Sequence, residues 1–302
     1  MVMIFPQFIK ENATIGIVAP AGKVDAEVVH YAEKFLGSMG YRVVLGDHVK
    51  NTFHQYAGND HHRASDLQLM LNRTDIDAIF CARGGYGTIR IIDTIDFTHF
   101  LEHPKWIVGF SDITVLHACL QNRLGVASIH GPMPKNFAKK SADDQDIVNL
   151  FAMLKGQLPN YKIAPHKLNR TGEANGILVG GNLSLIYSLR GTSFDFDPKG
   201  KILFIEDLSE YLYHLDRMMQ NLRISGFLSK LNGLIIGQFS DMKESETPYG
   251  FSAQEIIKAA VEEYDYPVIF DFPAGHDHLN QPLVLGKRVT LTATNCHCNL
   301  EF

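Results

Sequence analysis

Along the first half of the chain, short apolar runs alternate with stretches whose apolar positions recur every three or four residues. Thr14–Ala19 is an apolar run closing in Pro20-Ala21-Gly22, which predicts a buried strand and its loop. Asp25–Met39 puts Val28, Val29, Ala32, Phe35, Leu36 and Met39 at helical spacing and stops at Gly40, a residue suited to the left-handed position after a helix. Tyr41–Leu45 predicts a second strand, the polar stretch His48–His62 a loop, and Arg63–Leu71 a helix. Ala78–Cys81 predicts a third strand running into Arg83-Gly84-Gly85-Tyr86-Gly87, and Thr88–Ile95 opens another helix. Trp106-Ile107-Val108 is then a strand ending on Gly109, and from Ile113 the spacing becomes helical again. Such alternation argues for an α/β fold with an open parallel sheet, helices on both faces, and function at the carboxyl ends of the strands.

The pattern weakens after a helix predicted over Asp143–Leu154. Lys155–Gly172 is polar, carries Pro159 and Pro165, and has little periodicity. The expected organisation is a first domain over residues 1–155, a linker over 156–172 and a smaller α/β domain over 173–302. In that second part Gly176–Val179, Lys201–Ile205, Leu234–Ile236 and Val268–Phe270 read as strands. Leu183–Leu189, Leu212–Leu222 and Ala253–Glu263 read as helices, and Leu283–Leu300 as two strand-like runs closing the second domain.

Composition narrows the function classes. With 45% apolar and 20% charged residues the chain is an ordinary globular protein, and a net charge of −5 gives no basic footprint for nucleic acid or an anionic membrane. No apolar run approaches a membrane span. Met1–Lys10 has neither the cationic start nor the cleavage site of a leader. Four cysteines are too few for a disulfide framework in 302 residues, so a reducing, cytoplasmic location is expected. Cys296-His297-Cys298 lacks a second pair of metal ligands nearby, and no metal or cofactor is expected.

The stretch that carries chemistry is Gly109-Phe110-Ser111-Asp112. A strand that turns into a helix through so few residues has the form of a nucleophile elbow, exposing Ser111 beside backbone N–H groups at a helix start. Ser111 or Asp112 could equally be a helix cap, and the second glycine of G-x-S-x-G is missing. A serine nucleophile needs a base and the base an orienting acceptor. Glu206-Asp207 at one strand end and His276 and His278 in the loop Asp271–Pro282 offer both. The alternatives are a capping role for Glu206 and a surface or metal-binding loop around His276, His278 and Asp271. The glycines of 83–87 permit close approach of backbone to a ligand, but they match neither phosphate-binding pattern.

G-F-S-D-I-T at 109–114, R-G-G-Y-G at 83–87, G-G-N-L at 180–183, F-I-E-D-L at 204–208 and P-A-G-H at 273–276 resemble the LD-carboxypeptidases of serine peptidase family S66. These are murein tetrapeptide carboxypeptidases, with microcin C self-immunity proteins as relatives. The resemblance implies a flavodoxin-like N-terminal domain, a C-terminal domain with a barrel-like sheet, and a homodimer. It implies a Ser-His-Glu triad of Ser111, His276 and Glu206, with backbone N–H groups of Gly85 and Asp112 forming the oxyanion hole. It gives His278 no catalytic role. The implied reaction is release of terminal D-alanine from a muropeptide across an L,D-amide bond, in peptidoglycan recycling. Arg83 is then a candidate to bind the substrate carboxylate, or a structural arginine tied to carbonyls. The alternatives are a microcin-immunity-type carboxypeptidase acting on a peptidyl or aminoacyl nucleotide, and a non-catalytic two-domain ligand-binding protein.

Overall fold

The computed structural model describes residues 3–302. Residues 1 and 2, which begin the expected first domain and the stretch read as having no leader, lie outside the described residues. In chain order the strands are β1 Thr14–Val18, β2 Arg42–Leu45, β3 Ala78–Cys81, β4 Trp106–Gly109, β5 Ser128–His130, β6 Tyr161–Ile163 and β7 Gly172–Asn182. They continue as β8 Lys201–Leu208, β9 Gly233–Ser240, β10 Val268–Ile269, β11 Leu283–Leu285, β12 Arg288–Ala293 and β13 Cys298–Glu301. The chain divides into two compact units, Met1–Leu158 with Gln281–Val284, and Pro159–Asn280 with Leu285–Phe302.

The first unit is built on a six-stranded sheet of order β11-β5-β4-β3-β1-β2, with parallel pairing from β2 through β1, β3 and β4 to β5. Every residue of β1, β3 and β4 is buried. That is why these strands read as continuous apolar runs without alternation: both faces are covered. The second unit holds a seven-stranded sheet of order β10-β9-β8-β7-β12-β13-β6. Its β7, β8, β9 and β10 pair in parallel, and β12, β13 and β6 add antiparallel strands. Among the described residues no helix is long and apolar enough to cross a membrane.

Three expectations change. Thr88–Ile95 is a pair of short 3₁₀ turns, Thr88–Arg90 and Ile92–Thr94, in place of one helix, and the Thr88 N–H donates to the Asp112 carboxylate at 2.8 Å. The segment expected to be linker contains β6, where Tyr161 and Ile163 are buried and Lys162 is exposed, an alternation too short to register as a strand in sequence. Further on, Arg170 exchanges backbone hydrogen bonds with Val268 at 2.9 and 3.1 Å. Finally, β11 joins the first unit's sheet beside β5 and does not close the second domain. Its three residues are all buried, as a strand covered on both faces requires.

Candidate active site

In the first unit Ser111 stands at the carboxyl end of β4. Phe110 is extended, and Ser111 itself has φ of 63°, in the left-handed region. For a residue with a Cβ this costs roughly 1–2 kcal/mol, and strain of this kind persists only where the surroundings hold it. Neither Ser111 nor Asp112 is the cap residue: the turns beginning at Ser111 and Thr114 have Phe110 and Ile113 at their caps, with no side-chain cap hydrogen bond. The Asp112 carboxylate points instead to the Thr88 N–H. Burial pushes the Asp112 carboxyl pKa up, against the lowering effect of its bond to Thr88.

The glycine loop after β3 lies directly over this turn. A Cβ placed on Gly84 would fall 2.7 Å from Ser111 Cβ, 2.8 Å from its Oγ and 3.3 Å from the Asp112 amide nitrogen. Only glycine at 84 keeps the space beside the hydroxyl and the Asp112 N–H open, so Gly84 supplies the close approach that the missing second glycine of the elbow pattern would give. Gly84 O accepts from Gly22 N–H at 3.0 Å, joining the loops after β1 and β3. Gly85 is exposed with φ of 105°. Arg83 donates to the Lys23 carbonyl at 2.8 Å, the backbone-tied alternative of its two sequence readings.

Arg63 is a residue the sequence did not single out. A charged residue in the first turns of a helix, here Asp60–Asn72, reads as solvated, yet its side chain is fully buried. It donates to Pro20 O at 2.6 Å and to Gly87 O at 2.8 Å, pairs with Asp60, and thereby ties the two loops to one guanidinium. No pattern in the chain signals this.

Behind the elbow, fully buried His117 lies 2.9 Å from Gly109 O through Nε2 and 2.8 Å from Ser128 Oγ through Nδ1. Burial lowers its pKa to about 4, opposed by the Gly109 carbonyl. The folded histidine is therefore neutral where the unfolded one, at about 6.5, takes up a proton. Stability is lost as pH falls from about 6.5 toward 4, by at most ~3 kcal/mol. Urea unfolding of His117→Gln between pH 7 and 5 should show a flatter decline than the parent; an equal slope in both would contradict a neutral buried imidazole.

The second unit carries the other candidates. β8 pairs with β9 as Ile205↔Ile236 and then Asp207↔Phe239, so two residues of β9, Gly237 and Gln238, oppose Glu206 alone. Such a bulge re-aims side chains locally. Glu206 is fully buried, and its Oε2 lies 2.6 Å from His276 Nδ1, whose side chain is 12% exposed. A carboxylate can only accept, so Nδ1 carries the proton and Nε2 is left as a base. Asp207 turns away: its carboxylate accepts from Asn182 Nδ2 at 2.9 Å and Ser184 N–H at 2.8 Å. Burial, with the Glu206 charge added, pushes its pKa up to about 7. His278 is exposed, and Glu206 holds His276.

Ser111, Asp112, Gly85 and Arg83 thus gather around one strand end of the first unit, while Glu206 and His276 meet in the second. Three ligand-type residues of the first unit, His99, Glu102 and His103, bring their ligand atoms within 4.8 Å of one another. They precede β4, at the end opposite Ser111.

The profile of the LD-carboxypeptidase N-terminal domain matches residues 15–131, and that of the LD-carboxypeptidase C-terminal domain matches residues 175–291. A probable murein peptide carboxypeptidase of Bacillus subtilis is 33% identical, over 95% of this chain and 91% of the relative. The crystal structure of a muramoyltetrapeptide carboxypeptidase from Oxalobacter formigenes superimposes with a TM-score of 0.85 at 29% identity, covering 95% of this chain and 98% of that one. The microcin C7 self immunity protein MccF, in complex with aspartyl sulfamoyl adenosine, shares the fold with a TM-score of 0.87 at 18% identity, covering 99% of this chain and 98% of its own.

Proposed function

This chain belongs to the S66 family of LD-carboxypeptidases, serine-type peptidases, and from that premise we propose that it releases the terminal D-alanine of murein tetrapeptides in peptidoglycan recycling. The observation that carries the reading is the buried Glu206 carboxylate 2.6 Å from His276 Nδ1. It fixes the tautomer that a general base needs.

In this reading Ser111 Oγ attacks the carbonyl carbon of the L,D-amide as His276 Nε2 takes its proton. The oxyanion is met by the N–H groups of Gly85 and Asp112, each such donor being worth about 2.7–4 kcal/mol of barrier. The imidazolium, stabilised by Glu206, returns the proton to the leaving amine of D-alanine. Water, deprotonated by the same histidine, then hydrolyses the acyl-serine. The close approach of Gly84 to Ser111 and the strained Ser111 backbone support the nucleophile assignment.

The finer architecture follows the same reading. The order β2-β1-β3-β4-β5 is that of flavodoxin-like sheets. The Arg170–Val268 bridge draws the chain between β6 and β7 to β10, as in a barrel-like second sheet. Four free thiols among the described residues suit a cytoplasmic enzyme, which we take to be a homodimer needing no metal or cofactor.

The test is incubation with a disaccharide tetrapeptide and with the free tetrapeptide, read by mass spectrometry. Loss of one alanine is expected. An unchanged tetrapeptide alongside cleavage of an aminoacyl nucleotide analogue would move the enzyme to the immunity-type substrate, and no cleavage of either would leave a binding protein.

A further inference from the structure

We propose that Gln238 is the positioning residue of the catalytic base: its side-chain amide clamps the loop that carries His276. The proposal rests on the reading of His276 as the base. Gln238 enters through the β9 bulge opposite Glu206, which places the end of β9 against the loop that follows Phe272. A Cβ at Gly237 would lie 2.4 Å from Ala274 O, so the two backbones approach as only glycine allows, and the Gln238 N–H donates to that carbonyl at 3.0 Å. With that bond placed before His276, the side chain holds the loop after it. Oε1 accepts from the Asp277 N–H at 3.0 Å, and Nε2 donates to the Leu279 carbonyl at 3.0 Å.

A side-chain amide carries its donor and its acceptor on separate atoms, so without bearing charge it meets an N–H and a carbonyl of the same loop at once. Two further ties hold the segment, the Asn280 Oδ1 accepting from Gly275 N–H at 3.0 Å and Ser240 Oγ donating to Asp277 Oδ1 at 2.5 Å. A loop bearing a base 2.6 Å from its acceptor needs this support, because small displacements of a proton-transferring group cost rate steeply. Gln238 also stands next to the charged pair. A single point, the Cβ position of Gly275, is 3.1 Å from Gln238 Oε1 and 3.3 Å from Glu206 Oε2. Charged groups near His276 on this unit include Glu206 from β8 and the adjacent Asp277 of its own loop; Asp207 is turned to Asn182 and Ser184.

The experiment compares Gln238→Ala and Gln238→Glu with the parent. Gln238→Ala removes both clamps and should lower kcat by about 10- to 100-fold with little change in KM. Gln238→Glu keeps the acceptor for Asp277, loses the donor to Leu279, and adds negative charge beside the imidazole. It should recover part of kcat while the acid limb of the rate profile moves to higher pH by up to about 1 unit. NMR titration of the His276 ring nitrogens should move the same way. Parent kcat in Gln238→Ala overturns the proposal. So does a His276 titration left in place by Gln238→Glu, including where Gln238→Ala loses activity only in step with its folded fraction. If Ser111→Ala stays active, the reading of the reaction falls, and the His276 titration still decides on Gln238.

Discussion

Ser111→Ala should lower turnover by about 10⁴-fold or more while the fold and substrate binding persist. The change removes the attacking oxygen and nothing that the structure uses for support. Ser111 makes no cap, so its helix loses no hydrogen bond, and alanine occupies the same left-handed conformation at the same cost. Gly84 continues to cover the turn, and the Asp112 carboxylate continues to hold Thr88. Ser111→Gly separates the two roles further. It should be as inactive, yet the strain at φ of 63° disappears with the Cβ, so its unfolding midpoint should not fall. Release of alanine from tetrapeptide, with circular dichroism and a melt on the same preparations, measures all three. Parent turnover in Ser111→Ala would reduce the elbow to a structural turn.

The legibility of this protein divides by whether neighbouring residues are neighbours in sequence. β1, β3 and β4 were readable because strands covered on both faces need unbroken apolar runs, and the turn after β4 because strand, turn and helix follow within a few residues. The three residues of β6 give only one period of alternation, and the run of buried residues in β11 does not say which sheet buries it. The triad candidates could be named from residue types at strand ends and from a family resemblance. What fixes them could not. Arg63 ties Pro20 to Gly87, Gly84 approaches Ser111 closely, and Gln238 holds the loop before His276 through its N–H and after it through its side chain, all contacts between segments far apart in the chain. Tertiary hydrogen bonds of a side chain to remote backbone leave no local pattern, and a buried arginine looks the same in sequence as a solvated one.

His276→Ala should abolish nearly all hydrolysis, whereas His278→Ala should change it modestly. His276 has a buried carboxylate 2.6 Å from Nδ1 and lies between the Gln238 bond to Ala274 O and the Gln238 bonds to Asp277 N–H and Leu279 O; His278 is exposed. The pH profile adds a sign. A base must be neutral to work, so the rate should rise with pH as the imidazolium of His276 loses its proton. Glu206 favours the charged form of that ring. Glu206→Gln keeps the size and an oxygen acceptor but removes the charge, so the plateau rate should drop, because the transition state contains an imidazolium. The acid limb should at the same time move to lower pH, because the ground-state imidazolium is also less favoured. KM should change little. A general structural defect would lower the rate without moving the limb, so the two readouts distinguish the causes. The decisive set is His276→Ala, His278→Ala and Glu206→Gln under one assay from pH 5 to 9. Near-complete loss confined to His276, with the limb of Glu206→Gln displaced downward, supports the assignment. Loss confined to His278 overturns it, and equal loss at both histidines would point to a shared metal in place of a triad.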